Sequence, residues 1–148
     1  MSAHLWFIYA LVAAVMWGLG YVISEKLLRI GMTPAFMMVI SNILMLPVLI
    51  AITAYMDHGK GQLQLFAGSK EMILLTLAMS VLVIGGNLLI LTSINEKNAT
   101  LASLIEITYP IFTCLFAWIF LKETQVNWPL AVGGLLIFSG VCLIYLKS

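Results

Sequence analysis

The sequence predicts an all-α integral membrane protein with five transmembrane helices, and three observations carry that prediction. Of 148 residues, 63% are hydrophobic and only 9% are charged, whereas a soluble domain carries about 25% charged residues to face water. A window of about 19 residues resolves five apolar runs, each long enough to cross roughly 30 Å of hydrocarbon at 1.5 Å per residue. They cover residues 5–24, 34–56, 72–94, 99–121 and 128–146, and nearly every Lys, Arg, Asp and Glu falls between them. A transmembrane barrel would alternate in segments of about ten residues, and these runs are apolar on all sides. A net charge of +1 with no basic run excludes a nucleic-acid binder.

The first run follows Met1-Ser2-Ala3-His4, which has no basic n-region, and it has spanning length, so it reads as a retained span rather than a signal peptide. Ala10, Ala14 and Gly18 repeat every four residues on it, a small-residue stripe for close helix contact. Trp17, Tyr21 and Ser24 share another face. The second run opens on Thr33-Pro34, an N-cap type followed by proline in the first turn. It contains Ser41 and Asn42, with Pro47 kinking the helix and freeing the carbonyl of Ile43. Residues 57–71 form the one long connection, and their Leu-Gln-Leu-Phe stretch at 63–66 is expected to rest on the membrane interface.

The third run carries Thr76, Ser80 and Asn87 near one face. The fourth follows Asn98, which formally begins a glycosylation acceptor with Ala99 and Thr100 but abuts the membrane and reads more simply as a helix cap. Asn127 precedes Trp128-Pro129 in the same manner, and the fifth run presents Gly133 and Gly140, seven apart, as an internal contact or a dimer seam. Trp6, Tyr9, Tyr55, Trp118, Trp128 and Tyr145 cluster near run ends, as an interfacial belt does.

One charge lies well inside a run. Glu106 is eight residues into the fourth, roughly 10 Å beyond the interface. An ionised carboxylate there must face protein or a water-filled cavity. Ser103, Glu106, Pro110, Thr113 and Ala117 recur at helical spacing and make one polar or small face. Pro110 has no N–H for the carbonyl of Glu106, so a free carbonyl and a carboxyl share one spot, the pair that a proton or cation site requires. The alternative is a protonated Glu hydrogen-bonded to a neighbouring helix for packing. Asn87, Ser103 and Thr113 either line a wet pathway or serve as interhelical glue. Trp17 and Tyr21 form an aromatic wall suited to an organic cation beside an acid, or pack in the ordinary way.

Cys114 and Cys142 lack metal or redox spacing and are expected to be small buried side chains. His4 and His58 fall in the tail and a loop. No phosphate loop, zinc pair, haem attachment pattern or nucleophile elbow occurs, so neither an enzyme nor a resident cofactor or metal is expected.

With five spans, Lys60, Lys70 and Lys122 lie on one side and Lys26, Arg29, Lys97 and Lys147 on the other. Three against four is almost no bias, whereas a single fixed orientation normally brings a clear Lys/Arg excess on the cytoplasmic side. Insertion both ways round follows, or a weak bias that the insertion machinery resolves.

The stretches from Asn98 to Ser103 and from Tyr109 to Trp118, with Leu121-Lys122-Glu123, resemble the fourth helix and its exit in the drug/metabolite transporter superfamily, especially the EamA-like branch. Trp17-Gly18 and Thr33-Pro34 add to the likeness, and Gly133 to Val141 resembles the last helix of the small multidrug resistance transporters, whose glycines form a dimer contact. EamA-like transporters of full length have ten helices in two inverted halves, and residues 1–148 resemble one half as a single domain. Two departures matter. Ser41 and Asn42 stand where many relatives carry a basic residue, and the stretch from Ala14 to Gly18 lacks the first-helix acid of the small multidrug proteins. The resemblance thus implies a transporter of small organic metabolites or cationic drugs, in a prokaryotic inner membrane. It would work by alternating access as an antiparallel homodimer, with Glu106 as the only candidate acid. The competing expectation is a non-transporting membrane subunit that stabilises a larger complex.

Overall fold

A computed structural model of the chain describes residues 5–56, 59–122 and 126–147. His4, Asp57, His58 and Glu123 lie outside them. The described regular structure is helical throughout: α1 (Leu5–Arg29), α2 (Pro34–Tyr55), α3 (Gly59–Gly68), α4 (Lys70–Glu96), α5 (Ala99–Glu106), α6 (Tyr109–Phe116), a π turn (Ala117–Leu121) and α7 (Trp128–Lys147). Five stretches are long and apolar enough to cross a membrane: Leu5–Arg29, Pro34–Tyr55, Lys70–Glu96, Ala99–Leu121 and Trp128–Leu146. These are the five spans that the sequence predicts.

The chain divides into two compact units, Met1–Val22 with Lys97–Ser148, and Ile23–Glu96. In the second, α2 packs against α4 and α3 folds back on α4. Leu28, Met37, Leu91 and Ile94 are its buried side chains. In the first, only Ala99, Ala102 and Ala117 are buried among the described residues. Small residues take these positions because alanine lets backbones approach closely where lipid offers no hydrophobic drive to associate.

Caps set the helix starts. The Thr33 hydroxyl accepts from the Phe36 amide at 3.4 Å, Asn98 Oδ1 from Leu101 at 2.8 Å, and Asn127 Oδ1 from Leu130 at 3.0 Å. Asn98 is thus a helix cap, as its place before the run predicts. Ser69 caps α4 through the Met72 amide, which starts that helix at Lys70, two residues earlier than its apolar run.

α1 is five residues longer than the predicted 5–24. Glu25 and Arg29, one turn apart, pair through their side chains, and Lys26 with Arg29 places positive charge on the last turn, where the helix dipole favours it. The helix stops at Gly31, whose φ is 110°. The Gly31 amide donates to the Leu28 carbonyl and the Met32 amide to that of Leu27, the two bonds of a Schellman cap. A Cβ on Gly31 would meet nothing within 4 Å, so Gly31→Ala tests backbone strain alone. It is expected to cost about 1 kcal/mol and to lower the melting temperature in detergent, with Gly31→Asn costing less.

The connection at residues 57–71 includes a helix, α3, despite glycines at 59, 61 and 68; glycine disfavours a helix interior by only about 1 kcal/mol, and packing on α4 outweighs that. Two expectations need correction. Cys142 is exposed and Cys114 part-buried rather than buried, and both are free thiols. The fourth span is not one helix, since Ile107 and Thr108 interrupt it and its last turn is π. α2, by contrast, runs through Pro47 without interruption. The belt residues Trp6, Tyr9, Tyr55, Trp118, Trp128 and Tyr145 are all exposed.

Candidate substrate and proton site

The polar side chains of the spans mostly satisfy themselves. Asn42 donates to the Met38 carbonyl, Ser80 to Thr76, Asn87 to Val83, Ser103 to Thr100, Thr113 to Tyr109 and Ser139 to Leu135, all at 2.8–3.1 Å. A hydroxyl or amide hydrogen bonded within its own helix can face lipid without an unsatisfied donor. Among the described residues the donors of Asn87, Ser103 and Thr113 thus go to their own helices. Asn42 and Asn87 each spend one N–H on backbone, and among the described residues their Oδ1 acceptors take no bond. Asn87 sits in the second unit, part-buried on α4.

Glu106 behaves differently. It is the last residue of α5, part-buried, and its Oε2 accepts a hydrogen bond from the Tyr21 hydroxyl of α1 at 2.5 Å, across 85 positions of chain. That length is at the short end for O–H···O⁻ bonds, which are the stronger class. The Trp17 and Tyr21 rings lie 5.9 Å apart between centroids, tilted by 42°, so three residues singled out in the sequence meet at one place. Trp17 remains 59% exposed, leaving its face open to a ligand or to lipid. No Lys, Arg or His pairs with Glu106 among the described residues, and no buried side-chain polar atom there lacks a partner. An acid at the centre of a span costs about 3 kcal/mol on insertion scales. A hydrogen bond to a charged group contributes about 1.5–3 kcal/mol, so Tyr21 offsets a comparable amount.

The backbone opens at the same spot. Pro110 withholds the N–H that a continuous helix would give to the Glu106 carbonyl. The chain crosses the gap by shorter-range bonds, from the Thr108 amide to the Ile105 carbonyl at 3.1 Å and from the Ile111 amide to Thr108 at 3.0 Å. The Thr108 hydroxyl adds a bond to Ile105 at 2.9 Å. The break also divides the predicted polar face: Ser103, Glu106 and Pro110 are part-buried, Ala117 is buried, and Thr113 is exposed.

An open groove of about 540 Å³ runs between α6 and α7, lined by Ile107, Pro110, Cys114, Gly133 and Phe138 among others. Gly133 borders it, and Gly140 is exposed. A Cβ added at Gly18, Gly133 or Gly140 would meet nothing within 4 Å, so no close approach among the described residues requires these glycines.

Sequence reasoning located Glu106, Trp17 and Tyr21 but missed the Tyr21–Glu106 bond, because helical spacing reports faces of single helices and not partners. The break at Ile107 and Thr108 had a signal in Pro110. Among the described residues no cluster of His, Cys, Asp and Glu could hold a metal.

No curated protein and no solved structure matches the chain. The family model of the EamA-like transporter family matches residues 4–146, which include nearly all of both units. Five apolar spans and a match of that extent make the protein an integral membrane transporter, and the chain belongs to the EamA-like transporter family.

Proposed function

We propose that the protein moves small organic metabolites or cationic drugs by alternating access, coupled to protons through Glu106, as an antiparallel homodimer. The observation that carries the site is the Glu106 carboxyl inside a span, without a basic partner among the described residues, bonded to Tyr21 beside Trp17. A carboxylate next to an aromatic face attracts an organic cation by charge and by the ring quadrupole together. A proton and a cation would compete for the same oxygens, which is the chemistry of exchange. Ser103 and Thr113 supply weaker polar contacts along the path, and Asn87, in the second unit, keeps an Oδ1 acceptor that its own helix does not use.

The dimer rests on other grounds. Ten-helix relatives contain two inverted halves, and two oppositely inserted copies of a five-span chain recreate that arrangement. The three-against-four charge count permits both insertions. Gly133 and Gly140, where an added Cβ would meet nothing within 4 Å among the described residues, are available as a seam between copies. On this reading residues 1–148 act as one transport domain, in a prokaryotic inner membrane, with lipid, substrate and a second copy as its partners and no cofactor.

The test is a thermal-shift screen of organic cations on purified protein, repeated on Glu106→Gln. Cations that raise the melting temperature of the wild type are expected to leave the variant unmoved. Equal shifts in both proteins would remove Glu106 from the binding site.

A further inference from the structure

We propose that the Tyr21–Glu106 hydrogen bond is a latch between α1 and the fourth span, and that Ile107 and Thr108 form the hinge it controls. The inference rests on the reading of Glu106 as the proton and cation site. It adds that occupation of the carboxyl is converted into movement of α6.

Two observations meet at one residue. Glu106 is the last residue of α5 and is tied through its side chain to α1. Its own carbonyl is the one that Pro110 cannot bond, so the helix ladder is already open immediately beyond it. α6 is joined to α5 there by bonds of three-residue reach through Thr108, and it can reorient without breaking a continuous run of four-residue bonds. Hinges of this kind are a few element-terminal residues that absorb backbone rotation.

The latch is chemically switchable. An ionised carboxylate is the stronger acceptor for the Tyr21 hydroxyl. A proton on Glu106, or a cation that takes up its oxygens, weakens that bond and releases α5 from α1. Tyr21 on α1 donates to this carboxyl, Tyr109 on α6 lies close enough to Tyr21 to act on it electrostatically, and no cation pairs with Glu106 among the described residues. Tyr21 is thus a positioning residue: it holds the carboxyl and reports its state to the hinge.

Tyr21→Phe removes one oxygen and keeps the ring against Trp17. The full chain, wild type and variant, is reconstituted in phosphatidylcholine bilayers at alkaline pH. Hydrogen exchange is then followed across the amides from Ile107 to Thr113, and uptake of tetraphenylphosphonium is measured over a range of pH. In the variant those amides are expected to exchange about tenfold faster, the opening that loss of one charge-assisted bond permits. The pH range over which uptake responds is expected to move, because a donor to the carboxylate has been lost. Tyr9→Phe, on an exposed ring near the other end of α1, serves as the control and should change neither. Faster exchange with an unmoved pH range would reduce Tyr21 to a packing residue and overturn the latch. A moved pH range with unchanged exchange would overturn the hinge. If Glu106→Gln transports like the wild type at every pH, the reading of the site itself fails, whatever Tyr21→Phe does.

Discussion

Replacing Glu106 by Gln is expected to flatten the pH dependence of uptake and to lower uptake of an organic cation about ten- to a hundredfold at neutral pH. The factor follows from the loss of one charge-assisted contact, about 1.5–3 kcal/mol, at about 1.4 kcal/mol per tenfold. Gln keeps the size of the side chain, and its amide oxygen still accepts from the Tyr21 hydroxyl, so the bond that joins α1 to α5 persists in neutral form. Loss of transport is therefore not loss of fold. Stability moves the other way or not at all, because a group that no cation pairs among the described residues has been replaced by one that carries no charge into lipid. Initial rates of uptake into proteoliposomes across a pH series, with melting temperature measured on the same preparations, separate the two effects. Uptake equal to the wild type at all pH values would refute Glu106 as the coupling group.

The second large effect concerns orientation. Lys60, Lys70 and Lys122 oppose Lys26, Arg29, Lys97 and Lys147 across the membrane, and so close a balance is easily tipped. Gln62 and Gln64 are exposed on α3, in the connection between the second and third spans. Changing both to Arg makes the count five against four and is expected to drive nearly all copies into the orientation with that connection in the cytoplasm. If the working unit pairs two opposed copies, activity falls to a few per cent or less. Asn95→Lys with Glu96→Lys, exposed at the far end of α4, biases the other way. Each variant alone is expected to be inactive, and the two expressed together to recover transport. A reporter at the C-terminus that is active on only one side measures orientation directly. Full activity in a chain shown to insert one way only would end the antiparallel account.

Much of this molecule is legible in its sequence, for a physical reason. Lipid forces every spanning backbone to satisfy itself, so apolar length alone marks the five spans, and side-chain caps at Thr33, Asn98 and Asn127 mark three starts. Glu106 stands out because an acid in lipid is costly. What stays hidden depends on partners. The extension of α1 to Arg29 rests on the Glu25–Arg29 pair and on the positive φ of Gly31, which hydropathy does not register. α3 forms on the flank of α4 in the one long connection, where span-length hydropathy marks no element. The expected continuous face from Ser103 to Ala117 assumed an unbroken helix, and Pro110 interrupts it at the residue that matters most for the site. The meeting of Tyr21 with Glu106 joins two faces each visible in its own helix, but only the fold pairs them.

The central claim is that one carboxyl serves both proton and cargo. Its most direct test is proton release on binding: purified protein in weakly buffered detergent is titrated with tetraphenylphosphonium while the pH is recorded, for the wild type and for Glu106→Gln. Competition at Glu106 predicts that the wild type releases protons at a pH where the carboxyl is protonated, and that release vanishes as pH rises and the group is already ionised. The variant is predicted to release none at any pH. Equal release from both proteins, or binding by the wild type with no release at any pH, would contradict it.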